Sequence, residues 1–189
     1  MTNEKSTIPS SSISSVKSLV LTALVTGITC IIAPFAIPIP FSPVPVSLTN
    51  LVLYISIFLL GWKSATVSYL VYVLLGAVGL PVFSGFAGGL GKIAGPTGGY
   101  LVGFVFLTVI SGYILEKFRG RRVIIVMGMV LGTAVTYVFG TAWLCIQMNL
   151  TFLQGLAIGT LPYLPGDCIK IIIAIIIGPI LAQRIRSIQ

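Results

Sequence analysis

The sequence predicts an all-α integral membrane protein, a bundle of six transmembrane helices with a ligand pocket near its external face. Hydrophobic residues make up 57% of the 189-residue chain, charged residues only 7%, and mean hydropathy is +1.13. Soluble domains carry about 25% charged residues, so a membrane is the solvent that suits this composition. No charged side chain occurs from Ser18 to Trp62, Ser64 to Gly91, Ile93 to Leu115 or Val123 to Gly166. Each of these stretches can hold one or two helices of about 20 residues. Polar, Pro and Gly breaks divide them into Ser18 to Phe35, Ser47 to Leu60, Ser64 to Val78, Gly98 to Lys117, Val123 to Gln147 and Pro165 to Arg184.

The segment 1–15 is Ser-rich and short of apolar groups, and it reads as a disordered cytoplasmic tail ahead of a single membrane domain over 16–189. Its Glu4 beside Lys5, and the length of the apolar run that follows, argue against a cleaved signal peptide. The second and third spans are short and meet at the tight turn Gly61-Trp62-Lys63. With six spans both termini share a side, which holds nine of the eleven basic residues, and the positive-inside rule makes that side cytoplasmic. The net charge of +8 is therefore topological, and nucleic acid is not an expected partner, because the charges are dispersed at helix ends and do not form a continuous basic face with aromatic platforms.

Three segments on the opposite side are unusual. The first, Pro34 to Pro45, has five prolines and favours a stiff, extended course. The second, Gly79 to Gly99, is Gly-rich, and the third ends in Leu161-Pro-Tyr-Leu-Pro-Gly166. Non-helical apolar backbone at membrane depth belongs where it packs on protein or covers a cavity, so these segments are expected to form the rim and lid of a pocket.

Chemistry has few candidates. Cys30, Cys145 and Cys168 form no paired motif and read as packing residues, and the chain has no histidine. The usual zinc sites and His-based acid–base mechanisms are therefore excluded; neither a metal, a cofactor nor an enzymatic activity is expected. Asp167 alone among the three acidic residues borders a hydrophobic span, and Lys170 lies on the same helical face. Charges are costly in lipid, so both should face the interior, either as a structural ion pair or as contacts for a small polar solute. Lys92, in the second segment, can meet an anionic group. The neighbouring Gly-Leu-Gly-Lys sequence fails as a phosphate cradle, because Phe86 stands at the first Gly position and Ile93 at the Ser/Thr position. Asn50 and Tyr100 can add hydrogen bonds, and Tyr54, Tyr69, Tyr72, Phe83, Phe86 and Tyr163 can supply an apolar wall. In the first span Ala23 and Gly27 make a small-x-x-x-small pair that permits close helix approach.

Pro43-Val-Pro-Val-Ser-Leu48, Gly79-Leu-Pro-Val-Phe83, Gly95-Pro-Thr-Gly-Gly-Tyr-Leu101 and Pro162-Tyr-Leu-Pro-Gly-Asp-Cys-Ile-Lys170 together resemble the BioY family, the biotin-specific S components of energy-coupling-factor (ECF) transporters. The resemblance implies biotin capture under the external loops and no energy source within the chain. It also implies partners, namely a transmembrane coupling subunit and two cytoplasmic ATPase subunits. The family's Asp and Lys map onto Asp167 and Lys170. Its docking motif in the first helix, usually Ala-x-x-x-Ala, maps onto Ala23 and Gly27, where the second residue departs from the pattern. Biotin contacts are accordingly expected from Asp167, Lys170, Asn50, Tyr100, Lys92 and Phe83. The alternative is a proton-coupled secondary transporter of a small organic solute, in which Asp167 titrates.

Overall fold

The computed structural model describes residues 10–187. Seven helices and one two-stranded sheet occur among the described residues, in the order α1 (Ser10–Ile32), β1 (Ala36–Ile39), β2 (Ser42–Ser47), α2 (Thr49–Ala77), α3 (Leu90–Ala94), α4 (Gly98–Lys117), α5 (Arg122–Met148), α6 (Phe152–Gly159) and α7 (Leu164–Ser187). Helices α2, α4, α5 and α7 are long and apolar enough to cross a membrane, and Val16–Ile32 of α1 is a shorter apolar stretch. The chain is thus a multi-pass membrane protein. Large apolar side chains such as Leu19, Leu74, Val123 and Ile146 are exposed, as lipid contact requires.

The expected tail lies outside the described residues as far as Pro9, and α1 begins at Ser10, inside the stretch read as tail. The Pro-rich segment is not simply extended. It folds back as an antiparallel hairpin, with Ala36 opposite Ser47 and an irregularity between Ile37 and Ile39. Pro38 and Pro40 cannot donate ladder hydrogen bonds, which suits a short hairpin with free edges.

The second and third expected spans are the two halves of α2, two helices separated at Gly61, where φ is 75° and ψ is 168°. That region of backbone space is open essentially to glycine alone. On a straight helix Asn50 and Tyr72 would stand about 33 Å apart, at about 1.5 Å per residue. Instead both line one cavity, so the chain doubles back at Gly61.

Glycines set the closest helix contacts. A Cβ at Gly103 of α4 would come within 2.8 Å of the Thr136 Cα on α5, and one at Gly112 within 2.6 Å of the Trp62 Cβ beside the Gly61 break. Close approach of this kind gives dispersion contact where lipid supplies no hydrophobic drive. The buried centre holds Leu53, Tyr54, Ile57, Tyr69, Tyr72, Leu107 and Met129. Thr26 of α1 adds a hydrogen bond to the Ser68 hydroxyl of α2, at 2.9 Å.

Candidate functional site

A cavity lies among the hairpin, the 79–97 segment, the turn before α7 and the inner faces of α2, α4 and α5. All three segments expected to form a rim contribute lining: Val44, Pro45 and Ser47 from the first, Phe83, Ser84 and Lys92 from the second, Gly159 and Tyr163 from the third.

Asp167 falls in the first turn of α7, where free backbone N–H groups favour a carboxylate. Lys170 stands one turn on, its Nζ 2.9 Å from Asp167 Oδ1. Both residues are only 8% exposed, so each charge needs partners within the protein. Lys170 Nζ donates a second bond to the Ser47 carbonyl at the end of β2, at 2.7 Å. Asn50 Nδ2, from the start of α2, donates to Asp167 Oδ1 at 2.8 Å. The Tyr137 hydroxyl, from α5, donates to Asp167 Oδ2. A carboxylate has about four acceptor positions and an ammonium three donors. Three of the former and two of the latter are in use, which leaves one acceptor on Asp167 and one donor on Lys170 for a ligand.

The six residues singled out for ligand contact, Asp167, Lys170, Asn50, Tyr100, Lys92 and Phe83, all line this cavity. Tyr100 spends its hydroxyl proton on the Gly159 carbonyl at 2.7 Å, so it offers the ring and the oxygen lone pairs. Lys92, on α3, is half-buried and makes no salt bridge among the described residues. Phe83 packs edge-on against Tyr72, with ring centroids 5.6 Å apart.

The aromatic wall is smaller than the sequence suggests. Tyr72, Phe83 and Tyr163 line the cavity, whereas Tyr54, Tyr69 and Phe86 do not. Tyr54 bonds Thr133, Tyr69 donates to the Leu101 carbonyl at 2.8 Å, and Phe86 turns outward against Phe35. Helical spacing alone does not separate a wall from the packing layer behind it. Tyr163 donates to the Val44 carbonyl and meets the Ser42 hydroxyl at 2.7 Å, tying the hairpin to the turn before α7. Burial pushes its phenol pKa up, against the smaller lowering effect of Ser42, so it stays a donor at neutral pH.

Sequence reasoning missed Tyr137, Thr133 and Thr136, which line the cavity from α5. The available signal was a polar stripe at i, i+3 and i+4 within an otherwise apolar span, since such residues face the bundle interior. Ala23 and Gly27 lie elsewhere. They are exposed on α1 and line a groove with Val67 and Val71 of α2, and a Cβ at Gly27 would meet nothing within 4 Å. Among the described residues no three His, Cys, Asp or Glu side chains cluster as metal ligands would.

The family model for BioY matches residues 3–187. The chain belongs to the BioY family. Among BioY relatives, the biotin transporter BioY of Rhizobium etli is 34% identical over 175 residues, covering 87% of this chain and 92% of its own length. The biotin transporter BioY of Lactococcus lactis subsp. cremoris is 34% identical over 181 residues, covering 91% and 92%. The probable biotin transporter BioY of Pyrococcus horikoshii is 35% identical over 171 residues, covering 90% and 97%. A crystal structure of the S-component for biotin from an ECF-type ABC transporter superposes with a TM-score of 0.84 at 32% identity, over 97% of this chain and 95% of that one. The fold of that S-component therefore extends over 97% of this chain.

Proposed function

We infer that this chain is the biotin-binding S component of an ECF-type uptake transporter, a transport protein and not an enzyme. The observation that carries the reading is the network of Asp167, Lys170, Asn50 and Tyr137 at one cavity, in a chain whose relatives are named biotin transporters. Biotin's ureido ring presents N–H donors and a carbonyl acceptor. The unused acceptor of Asp167 and the unused donor of Lys170 complement that pattern, and Asn50 holds the carboxylate in register. Tyr72, Phe83 and Tyr163 suit the thiophane ring and alkyl chain, while Tyr100 adds a ring face. Lys92 supplies the positive charge for the valerate carboxylate, because the Asp167 and Lys170 charges already offset each other.

The chain crosses the cell membrane six times, through α1, the two halves of α2, α4, α5 and α7. Both termini lie in the cytoplasm and the cavity opens to the outside, a topology supported by the basic residues gathered at the Gly61 end of the bundle. Transport is driven by a transmembrane coupling subunit with two cytoplasmic ATPase subunits, and the Ala23–Gly27 groove is the place for a helix of the coupling subunit.

The test is equilibrium binding of labelled biotin to the purified protein in detergent, beside thiamine and riboflavin, for the wild type and a folded Asp167→Asn variant. Binding of biotin alone, weakened by the substitution, is the expected result. No binding by folded wild-type protein overturns the assignment, and proton-dependent uptake by the protein alone in liposomes would replace it with a secondary transporter.

A further inference from the structure

Tyr137 differs from the other tyrosines that line the cavity. Tyr72, Tyr100 and Tyr163 end on backbone carbonyls, of Val82, Gly159 and Val44 respectively. The Tyr137 hydroxyl ends on a charged group, Oδ2 of Asp167, from a different helix. Hydrogen bonds to ionised acceptors are about twice as strong as neutral ones. The terminal torsion of an Asp side chain is broad, so its carboxylate takes the orientation its donors impose. Asn50 and Lys170 both act on Oδ1, which fixes one oxygen and leaves the other free to swing about it. Tyr137 is the donor that holds Oδ2, and so the group that sets where the last acceptor position points.

We propose that Tyr137 is a positioning residue for ligand capture, holding the Asp167 carboxylate so that its one unused acceptor faces the cavity. Its removal leaves the ion pair intact and disorients the acceptor. The proposal rests on the reading of the cavity as the biotin site.

Tyr137→Phe deletes one oxygen from a half-buried side chain and keeps the ring packing. The chain has only three acidic side chains, so the Asp167 carboxylate band in an infrared spectrum can be assigned by its disappearance in Asp167→Asn. In unliganded Tyr137→Phe that band shifts, and biotin affinity falls by about tenfold, the loss of one charge-assisted hydrogen bond. A helix-packing role would lower the melting temperature and leave the band in place. An unmoved band, or a moved band with unchanged affinity, overturns the proposal. If wild-type protein shows no biotin binding, the biotin reading fails on its own, and the band still reports separately whether Tyr137 orients Asp167.

Discussion

The two ends of the helix bundle handle charge in opposite ways. At the cavity end an acid and a base are buried together and each is held by named partners: Asp167 by Asn50, Tyr137 and Lys170, and Lys170 by Asp167 and the Ser47 carbonyl. At the Gly61 end Lys63, Glu116, Arg119 and Arg122 surround an open cleft, all exposed, with no salt bridge among them. Exposed charges cost little and contribute little, whereas buried ones persist only when paired and hydrogen-bonded. Geometry at the cavity end is therefore set by a polar network. At the other end it is set by backbone, in the glycine break and the close contact of Gly112 with Trp62.

The largest effect comes from splitting the buried pair. Lys170→Met leaves the Asp167 charge without a cation and costs about 3–5 kcal/mol of stability, with loss of biotin binding. The double variant Asp167→Leu with Lys170→Met regains most of that stability, because a well-packed apolar pair replaces a buried ion pair at little cost. It does not regain binding. Thermal melting beside biotin titration separates the two quantities. Recovery of both together would mean that the pair only holds α7 in place.

A smaller effect is expected from backbone strain at the opposite end. Gly61→Ala forces a Cβ into a conformation with φ at 75°, at a cost of roughly 1–3 kcal/mol. Melting temperature falls, while the biotin affinity of the folded protein changes by less than about twofold, since Gly61 is remote from the cavity lining. A large affinity change would show that the Gly61 turn and the cavity are mechanically coupled.

This contrast also explains what was legible in the sequence. Long uncharged runs fixed the helices, and Gly98–Lys117 emerges as expected, because helices in lipid are specified by hydropathy and by obligatory backbone bonding. Asp167 and Lys170 stood out because charges are scarce in such a chain. The hairpin was hidden because prolines signal extended backbone without saying what the strand will pair with. Tyr137 was hidden because a tyrosine in an apolar span reads equally as packing or as donor, and its acceptor lies 30 residues away on another helix. Short helices α3 and α6 carry little periodicity, and α6 owes its start to a capping box of Thr151 and Gln154.

Lys92 tests a charge in the cavity lining that is half-buried rather than sequestered. Lys92→Gln is expected to lower biotin affinity about fivefold, an interaction on the order of 1 kcal/mol, and to leave affinity for biotin methyl ester unchanged. Equal losses for acid and ester would assign Lys92 to loop packing instead of the carboxylate.

The smallest effect is expected from the exposed cations of the Gly61 end. Arg119→Gln combined with Arg122→Gln removes two charges that make no ion pair among the described residues. In detergent, biotin affinity should stay within about twofold and the melting temperature should barely move, as is usual for surface substitutions. The consequence should appear only in the membrane, where these residues oppose translocation of the turn that carries them. Cysteine labelling of that turn from either side of intact cells measures it directly. A lowered affinity in detergent would break the division between a cavity end built on pairing and an opposite end built on backbone, because it would mean that unpaired surface charge reaches the ligand through the bundle.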